Sequence, residues 1–189
     1  TMPQAVKMVV TGPFSSGKTQ FIQTISEIEV VATERKISSD VEKIKNATTV
    51  AMDFGRITVD EELVLYLFGT PGQKRFDFMW EILSEGMLGF VVMVDSTRPE
   101  TFREAISILQ TFKAYAPTPY VVAANKQDSA DAWDLDDLRI ALRLDPAIKL
   151  LPCVAKDRES VKSVLLELLY AILDEMAPDT SVDVSALMG

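Results

Sequence analysis

The sequence predicts an α/β protein with a doubly wound, mostly parallel six-stranded sheet and one antiparallel edge strand. Two observations predict this class. Short apolar runs alternate with amphipathic helical stretches, and a glycine-rich loop joins the first run to the first helix. The chain has 189 residues, 48% of them hydrophobic, which is enough for one domain with a substantial core. We expect that domain over residues 5–176 and a short tail over residues 177–189.

The apolar runs define the predicted strands. Residues 50–59 and 63–68 flank a short polar link, so they predict an antiparallel hairpin. The later strands each follow a helix and are therefore expected to be parallel. The polar segment 26–46 predicts a helix end followed by a long loop. The six predicted strands cover residues 5–11, 50–59, 63–68, 88–95, 119–124 and 148–154.

Helical stretches separate these strands. The first helix opens at Gln20, a short helix falls within residues 74–85, and Pro99 suits the first turn of another. Asp134 and Asp157 are predicted N-caps of two further helices. Two apolar stripes are predicted to pack into the core: Phe102, Ala105, Ile106, Leu109 and Phe112 in the third helix, and Val161, Val164, Leu165, Leu168, Leu169 and Ile172 in the last.

The composition excludes several functional classes. A net charge of −9 argues against binding to nucleic acid or anionic membranes, since both require clustered Lys and Arg. The chain has no histidine, which excludes histidine bases and histidine-bound metals, and its single cysteine cannot form an intrachain disulfide. No apolar run has the length of a membrane helix, and the tail carries neither cysteine nor basic cluster. These features predict a cytoplasmic protein without a direct membrane anchor.

Residues 12–19 read Gly-Pro-Phe-Ser-Ser-Gly-Lys-Thr and fit the phosphate-binding pattern G-x-x-x-x-G-K-[ST], between a predicted strand and a predicted helix. In such a loop Lys18 reaches the β- and γ-phosphates, and the Thr19 hydroxyl binds Mg²⁺. Successive backbone N–H groups and the helix dipole attract the phosphate oxygens. The phosphate-binding set is completed by Gly12, Ser15, Ser16 and Gly17. The loop predicts a nucleoside triphosphate but does not select its base.

A second motif follows the fifth strand, where residues 125–128 read Asn-Lys-Gln-Asp. The Asp128 carboxylate can accept two N–H donors from the Watson–Crick edge of guanine, an arrangement that adenine does not offer. Lys126 can lie along the base, and Asn125 can connect this loop to the phosphate-binding loop. At the end of the last strand, the backbone N–H of Ala155 is a candidate donor to guanine O6.

These segments, with residues 49–54 and 69–73, have the order and approximate spacing found in Ras-like small GTPases, which the chain resembles over residues 5–176. The middle segments are most similar to prokaryotic members related to bacterial polarity and gliding-motility (MglA-like) GTPases. The resemblance implies a switch that binds GTP or GDP with Mg²⁺ and hydrolyses GTP slowly. It also implies protein effectors or activators at the switch loops, with Roadblock/LC7-type dimers as one candidate.

The resemblance assigns roles to individual residues. Thr49 would contact Mg²⁺ and the γ-phosphate, with neighbouring Thr48 as the alternative. Gly72 would donate its N–H to the γ-phosphate, and Gln73 would orient the attacking water. Lys156 belongs with the base-binding residues at the end of the last strand.

The sequence departs from the family pattern in its metal and base sites. Gly69 stands where these GTPases have an aspartate near Mg²⁺, which predicts weaker metal binding. Asp53 is a conceivable substitute, or it has a structural or effector-facing role instead. No aromatic residue lies between Phe21 and Phe54, although Ras proteins stack one on the guanine there. This absence predicts an open base site and fast nucleotide exchange.

The segment between Thr19 and Thr49 is also longer than in Ras. Arg35 in that segment, or Arg75 after the glutamine, is a candidate arginine finger or a solvated surface charge. Two other functions stay open from the residues alone. The first is a GTP-binding scaffold with little hydrolysis of its own. The second is a P-loop kinase or ATPase, which leaves residues 125–128 unexplained.

Overall fold

A seven-stranded sheet with helices on both faces forms the computed structural model, which describes residues 2–28, 33–36, 49–71 and 78–176. The strands lie in the order β2-β3-β4-β1-β5-β6-β7. They are β1 (Gln4–Thr11), β2 (Thr33–Lys36), β3 (Thr49–Asp60), β4 (Leu63–Gly69), β5 (Gly89–Asp95), β6 (Tyr120–Asn125) and β7 (Leu150–Pro152). The helices are α1 (Lys18–Ile25), α2 (Phe78–Ser84), α3 (Phe102–Tyr115), α4 (Leu135–Ala141) and α5 (Arg158–Met176), with a 3₁₀ turn at Pro99–Thr101 ahead of α3.

The predicted fold class is confirmed. β1 pairs in parallel with both β4 and β5, and the parallel pairing continues through β6 to β7. β3 and β4 form the predicted antiparallel hairpin, with Asp53 opposite Gly69 at one end and Asp60 opposite Leu63 at the other. All six predicted strands are present, and β3 is the antiparallel one among them.

The prediction for residues 26–46 was wrong at β2, which we expected to lie in a loop. β2 pairs antiparallel with β3, from Thr33 opposite Met52 to Lys36 opposite Thr49, and takes the edge of the sheet. Its sequence, Thr-Glu-Arg-Lys, lacks the apolar alternation that predicts a half-buried strand. An edge strand tolerates such charged residues, and its pairing depends on backbone hydrogen bonds that sequence patterns do not report.

The helix ends follow the predicted caps. Asp134 accepts a hydrogen bond from the Asp137 N–H at the start of α4, and Asp157 accepts one from the Glu159 N–H at the start of α5. All six predicted core positions of α5 are buried. In α3, Ile108 is buried where Ile106 was predicted, and Ile106 packs half-buried against the same cluster. The other four predicted positions are buried, so the buried face differs from the predicted one only at its edge.

Two apolar clusters cover the two faces of the sheet. One joins β1, β4 and the inward sides of α1 and α5, and includes Phe21 and Leu168. The other joins β5 and β6 to α3 and α4, and includes Phe90 and Leu138. Between these layers β1, β4, β5 and β6 all end at one edge, where doubly wound sheets bind their ligands. Within the described part of the chain, no helix combines the length and hydrophobicity that crossing a membrane requires.

Candidate nucleotide-binding site

A cavity of about 560 Å³ opens at the carboxyl edge of the sheet, above the loop that joins β1 to α1. Loop residues from Phe14 to Thr19 form one side, and Asp53, Thr70 and Pro71 form the other. The Lys18 ammonium donates hydrogen bonds to the carbonyls of Gly12 (2.7 Å) and Pro13 (2.8 Å), so it is held inside the loop. Several backbone N–H groups and one buried cation around a single cavity suit an anionic phosphate chain.

Burial changes the protonation of the loop lysine. Desolvation lowers the pKa of Lys18 to about 8, and the carboxylates of Glu104 and Asp53 oppose this shift by attracting the charged form. A phosphate beside the ammonium would favour the charged form further. A phosphate group bound in the loop would thus keep Lys18 in its cationic form.

Gly17 has a local reason for being glycine. Its φ of +107° is in the left-handed region, and a Cβ there would lie 2.2 Å from the amide nitrogen of Asn125. Only glycine allows the loop to pass this close to the end of β6. The same amide donates a hydrogen bond of 2.9 Å to the carbonyl of Ser16. The conformation of the phosphate loop is therefore fixed by a residue of the second motif.

Asp53 lies beside the position that lacks the expected aspartate. Its carboxylate accepts a hydrogen bond of 2.5 Å from the Thr19 hydroxyl. A Cβ added at Gly69 would lie 3.1 Å from the Asp53 Cβ and 2.9 Å from the Ile22 Cδ1. The space that a side chain at Gly69 would enter is thus already occupied by Asp53, which approaches from the neighbouring strand. Both oxygen-bearing groups, Thr19 and Asp53, border the phosphate cavity.

A second cavity, of about 350 Å³, adjoins the first. Its described lining comes from α1, from the residues after β6 and from the residues after β7, so three separate segments of chain meet there. The lining residues are Gly17, Gln20, Asn125, Lys126, Asp128, Ser129, Val154, Ala155 and Lys156. All of the residues that we predict to contact the base are therefore together at one cavity, with the exposed carboxylate of Asp128 on its wall.

Asn125 connects the two cavities. It is 3% exposed, and besides its bond to Ser16 its side-chain oxygen accepts from the Ala155 N–H at 2.9 Å. We predict Ala155 as the donor to guanine O6, and this N–H already has an acceptor within the protein. A bound base would have to share that donor with Asn125. The predicted link between the second motif and the phosphate loop is thus a direct hydrogen bond.

Lys126 is held by a carboxylate that the sequence analysis did not single out. Its ammonium lies 2.7 Å from the Oδ2 of Asp95, the last residue of β5, and its backbone has a φ of +64°. Burial alone would raise the pKa of Asp95, but hydrogen bonds from Lys126 and Thr97 outweigh it and keep the pKa below its ordinary value. The ion pair holds the lysine stem along the second cavity.

Several predicted site residues lie outside the described residues. They are Thr48, Gly72, Gln73 and Arg75. Thr49 and Arg35 belong to β3 and β2, but their side chains are not described. Thr70 and Pro71, which immediately precede Gly72 and Gln73 in the chain, line the phosphate cavity. Ser16 is placed differently from its neighbours: its side chain is 1% exposed and does not line the cavity.

Sequence reasoning did not assign several residues at these cavities, among them Phe14 and Gln20, and it did not assign Asp95, which pairs with Lys126. Phe14 lines the phosphate cavity and is 61% exposed, and no pattern in the sequence distinguishes it from the motif's variable positions. Gln20 lines both cavities and follows the motif without belonging to it. Asp95 could have been found, because polar residues at the ends of parallel strands collect at this edge.

Comparison with known proteins agrees with a nucleotide-binding site. A family model described as "Conserved hypothetical ATP binding protein" matches residues 29–183, which is more than half of the chain and begins after the phosphate-binding loop. The uncharacterized protein MJ1339 of Methanocaldococcus jannaschii is 32% identical over 128 residues, covering 67% of this chain and 73% of the relative.

Two groups of named relatives are GTPase-like. The Ras-related protein Rab-3 of Caenorhabditis elegans is 27% identical over 184 residues, covering 94% of this chain and 78% of the relative. The probable translation initiation factor IF-2 of Archaeoglobus fulgidus is 31% identical over 134 residues, which is 67% of this chain but 22% of that factor. The chain therefore belongs to the family of conserved hypothetical ATP-binding proteins and is related to the P-loop GTPases.

Proposed function

We propose that this protein binds GTP and GDP and acts as a guanine-nucleotide switch that hydrolyses GTP slowly. The observation that carries the proposal is the pair of adjoining cavities. One is built around the phosphate loop, and the other has the Asp128 carboxylate on its wall. A carboxylate there can accept both Watson–Crick N–H donors of guanine, while adenine would leave it without matching donors.

Adenine nucleotides are the second candidate, because the matching family model is described as ATP-binding. Competition separates the two bases. Unlabelled GTP should displace labelled GTP at a concentration at least about 100-fold lower than ATP, since a site built to pair with donors rejects an analogue lacking them. Equal displacement by ATP would overturn the guanine assignment and favour the adenine alternative.

The oxygen donors at the phosphate cavity fit Mg²⁺, which prefers hard oxygen ligands and keeps several waters. We propose that Thr19 binds the ion directly and that Asp53, which accepts the Thr19 hydrogen bond, takes the place of the aspartate missing at Gly69. An ion held there would neutralise negative charge on the phosphates. Thr49 is the further proposed ligand.

Hydrolysis in this proposal depends on positioning rather than on covalent chemistry. Lys18 contributes a cation to the phosphates, and Gln73 orients the attacking water. Its position beyond Thr70 and Pro71, which line the phosphate cavity, supports that role for Gln73. A lone domain supplies this arrangement incompletely, which is why slow turnover is expected. Arg35 and Arg75 remain candidates for an arginine that assists.

The experiment is single-turnover hydrolysis of bound GTP in excess Mg²⁺ by the natural protein, Gln73→Ala and Gln110→Ala. Gln110 is an exposed glutamine on α3 and serves as the matched control. We expect hydrolysis that Gln73→Ala reduces at least about 100-fold, the loss seen when one group that stabilises a transition state is removed. Gln110→Ala should hydrolyse at the natural rate. Equal rates in all three proteins would refute the role of Gln73.

If GTP binds but stays intact in all three proteins, the alternative function, a scaffold with little hydrolysis, is favoured over an autonomous GTPase. Signalling through protein partners at the switch loops is proposed from the relationship to Rab proteins. The narrower resemblance to MglA-like GTPases, and Roadblock/LC7-type dimers as partners, stay predictions. Adding a candidate partner to the single-turnover assay tests them, since an activating partner should raise the rate.

A further inference from the structure

The phosphate cavity and the base cavity meet at two residues of the described chain. Gly17 and Gln20 are the described residues that line both. Gly17 has no side chain, so Gln20 supplies the described side chain at the junction. A nucleoside triphosphate that places its phosphates in one cavity and its base in the other must lay its ribose across this junction.

A hydrogen bond to the next turn of α1 holds the Gln20 side chain in place. Its amide nitrogen donates to the Thr24 hydroxyl at 3.0 Å, one helical turn along α1. The Thr24 hydroxyl donates in turn to the Ala155 carbonyl at 2.5 Å, in the loop after β7 that lines the base cavity. Thr24 takes one of the two amide N–H groups, and the carboxamide oxygen stays available to accept a hydrogen bond.

We propose that Gln20 binds the ribose of the nucleotide, its carboxamide oxygen accepting a hydrogen bond from a ribose hydroxyl. The inference rests on the proposed nucleotide-binding function but not on the identity of the base. Gln20 is exposed on the first turn of α1, so a ribose can reach it without a change in the fold. This contact gives the nucleoside a second attachment besides the base, in a chain without an aromatic residue between Phe21 and Phe54.

The test compares the affinities for GTP, 2′-deoxy-GTP and 3′-deoxy-GTP in the natural protein, Gln20→Ala and Gln20→Met. Methionine keeps the length and packing of the side chain but cannot accept the bond as an amide does. Gln110→Ala is the control, because Gln110 is an exposed glutamine of α3 that lines neither cavity.

One hydrogen bond corresponds to about a three- to tenfold change in affinity. The natural protein should bind GTP about three- to tenfold more tightly than at least one of the two deoxy analogues. Gln20→Ala and Gln20→Met should remove that preference, while Gln110→Ala retains it. Either a natural protein that binds all three nucleotides equally, or Gln20 variants that keep the full preference, would overturn the inference.

Failure of the proposed function gives a different result. If the natural protein binds ATP in place of GTP, the guanine assignment fails, and the same comparison with ATP and its deoxy analogues still tests Gln20. If the natural protein binds neither nucleotide, both proposals fail together. Circular dichroism of each variant, with unchanged thermal unfolding expected for exposed positions, excludes a folding defect as the cause of weaker binding.

Discussion

The sharpest prediction concerns the Asp53 carboxylate, which lies on the strand next to the position where Ras-like proteins have an aspartate. Asp53 on β3 lies opposite Gly69 on β4, and its carboxylate accepts the hydrogen bond of the Thr19 hydroxyl. A Cβ at position 69 would lie 3.1 Å from the Cβ of Asp53, closer than ordinary contact. The site thus has room for a carboxylate from one strand or the other, but not from both.

The expected loss of Mg²⁺ affinity can be judged from residues that hydrogen-bond to a metal ligand, as Asp53 does to Thr19. Such partners typically change metal affinity about 10- to 100-fold when removed. Asp53→Asn keeps the shape of the side chain and removes its charge, so the Mg²⁺ concentration for half-maximal GTP binding should rise about 10- to 100-fold. Gly69→Asp alone should also weaken binding, because it crowds Ile22 and places two carboxylates side by side.

The decisive variant carries Asp53→Gly and Gly69→Asp together, which moves the carboxylate to the strand where Ras-like proteins have it. The added side chain then enters the space that Asp53 leaves. The Mg²⁺ midpoint is the Mg²⁺ concentration for half-maximal GTP binding. On a logarithmic scale, we expect the double variant to reverse at least half of the increase in this midpoint that Asp53→Gly causes. Labelled-GTP binding at a series of Mg²⁺ concentrations measures each midpoint.

Asp60→Asn is the control, because Asp60 is an exposed carboxylate at the far end of the same strand. It should leave the Mg²⁺ midpoint unchanged. Asp53 does not support Mg²⁺ binding if Asp53→Asn behaves like Asp60→Asn, or if the double variant binds Mg²⁺ no more tightly than Asp53→Gly. In either case Asp53 would have only the structural or effector-facing role that the sequence left open.

Three further predictions concern the base cavity and the buried residues at the carboxyl ends of β6 and β7, Asn125 and Cys153. Asn125→Ala leaves the Ser16 carbonyl and the Ala155 N–H without their buried partner. Urea unfolding of the nucleotide-free protein should therefore show a free energy of unfolding lower by about 2–5 kcal/mol. An unchanged free energy of unfolding would contradict the role of Asn125 in joining the two loops. Asp128→Ala should abolish a preference for GTP over inosine triphosphate, which lacks the 2-amino donor and should bind the natural protein about 10- to 100-fold more weakly; a natural protein that binds both equally would refute the pairing. Burial raises the pKa of Cys153 to about 12, so its thiol stays protonated at pH 8. Because the thiolate is the reactive form, Cys153 should react with iodoacetamide about a thousandfold more slowly in the folded protein than in urea. Fast reaction of the folded protein would contradict this prediction.

Most of the sheet could be predicted from the sequence, because each buried strand is a run of apolar residues between turn signals. The hairpin of β3 and β4 is predicted by its short polar link, and the buried face of α5 by spacings of three and four. β2 could not be predicted, since Thr33–Lys36 has no apolar pattern, and strand pairing by backbone hydrogen bonds leaves no signature in the sequence. The Ile106 position differs because spacing alone does not fix where the edge of a buried stripe falls, and Ile106 and Ile108 lie at opposite edges of it.

The candidate site could be predicted only where its chemistry is local in sequence. The phosphate loop and residues 125–128 are continuous motifs, and the strand ends on which they lie bring them to one edge. The contacts of Asp53 with Thr19, and of Asp95 with Lys126, join residues far apart in the chain. Such pairs follow from strand order and register, which the motifs themselves do not contain.

The arrangement of the base cavity also bears on the missing switch I aromatic. The described residues that line this cavity come from the phosphate loop, from the start of α1, from the end of β6 and from the loops after β6 and β7. Asn125 joins the phosphate loop, β6 and the loop after β7 by two buried hydrogen bonds, and the Thr24 hydroxyl joins α1 to the Ala155 loop by a partly buried one. Buried hydrogen bonds of this kind hold a site in one geometry. The cavity that we propose for the base is thus preorganised by the phosphate-loop framework itself, which lets recognition of the base proceed without an aromatic side chain from the first switch.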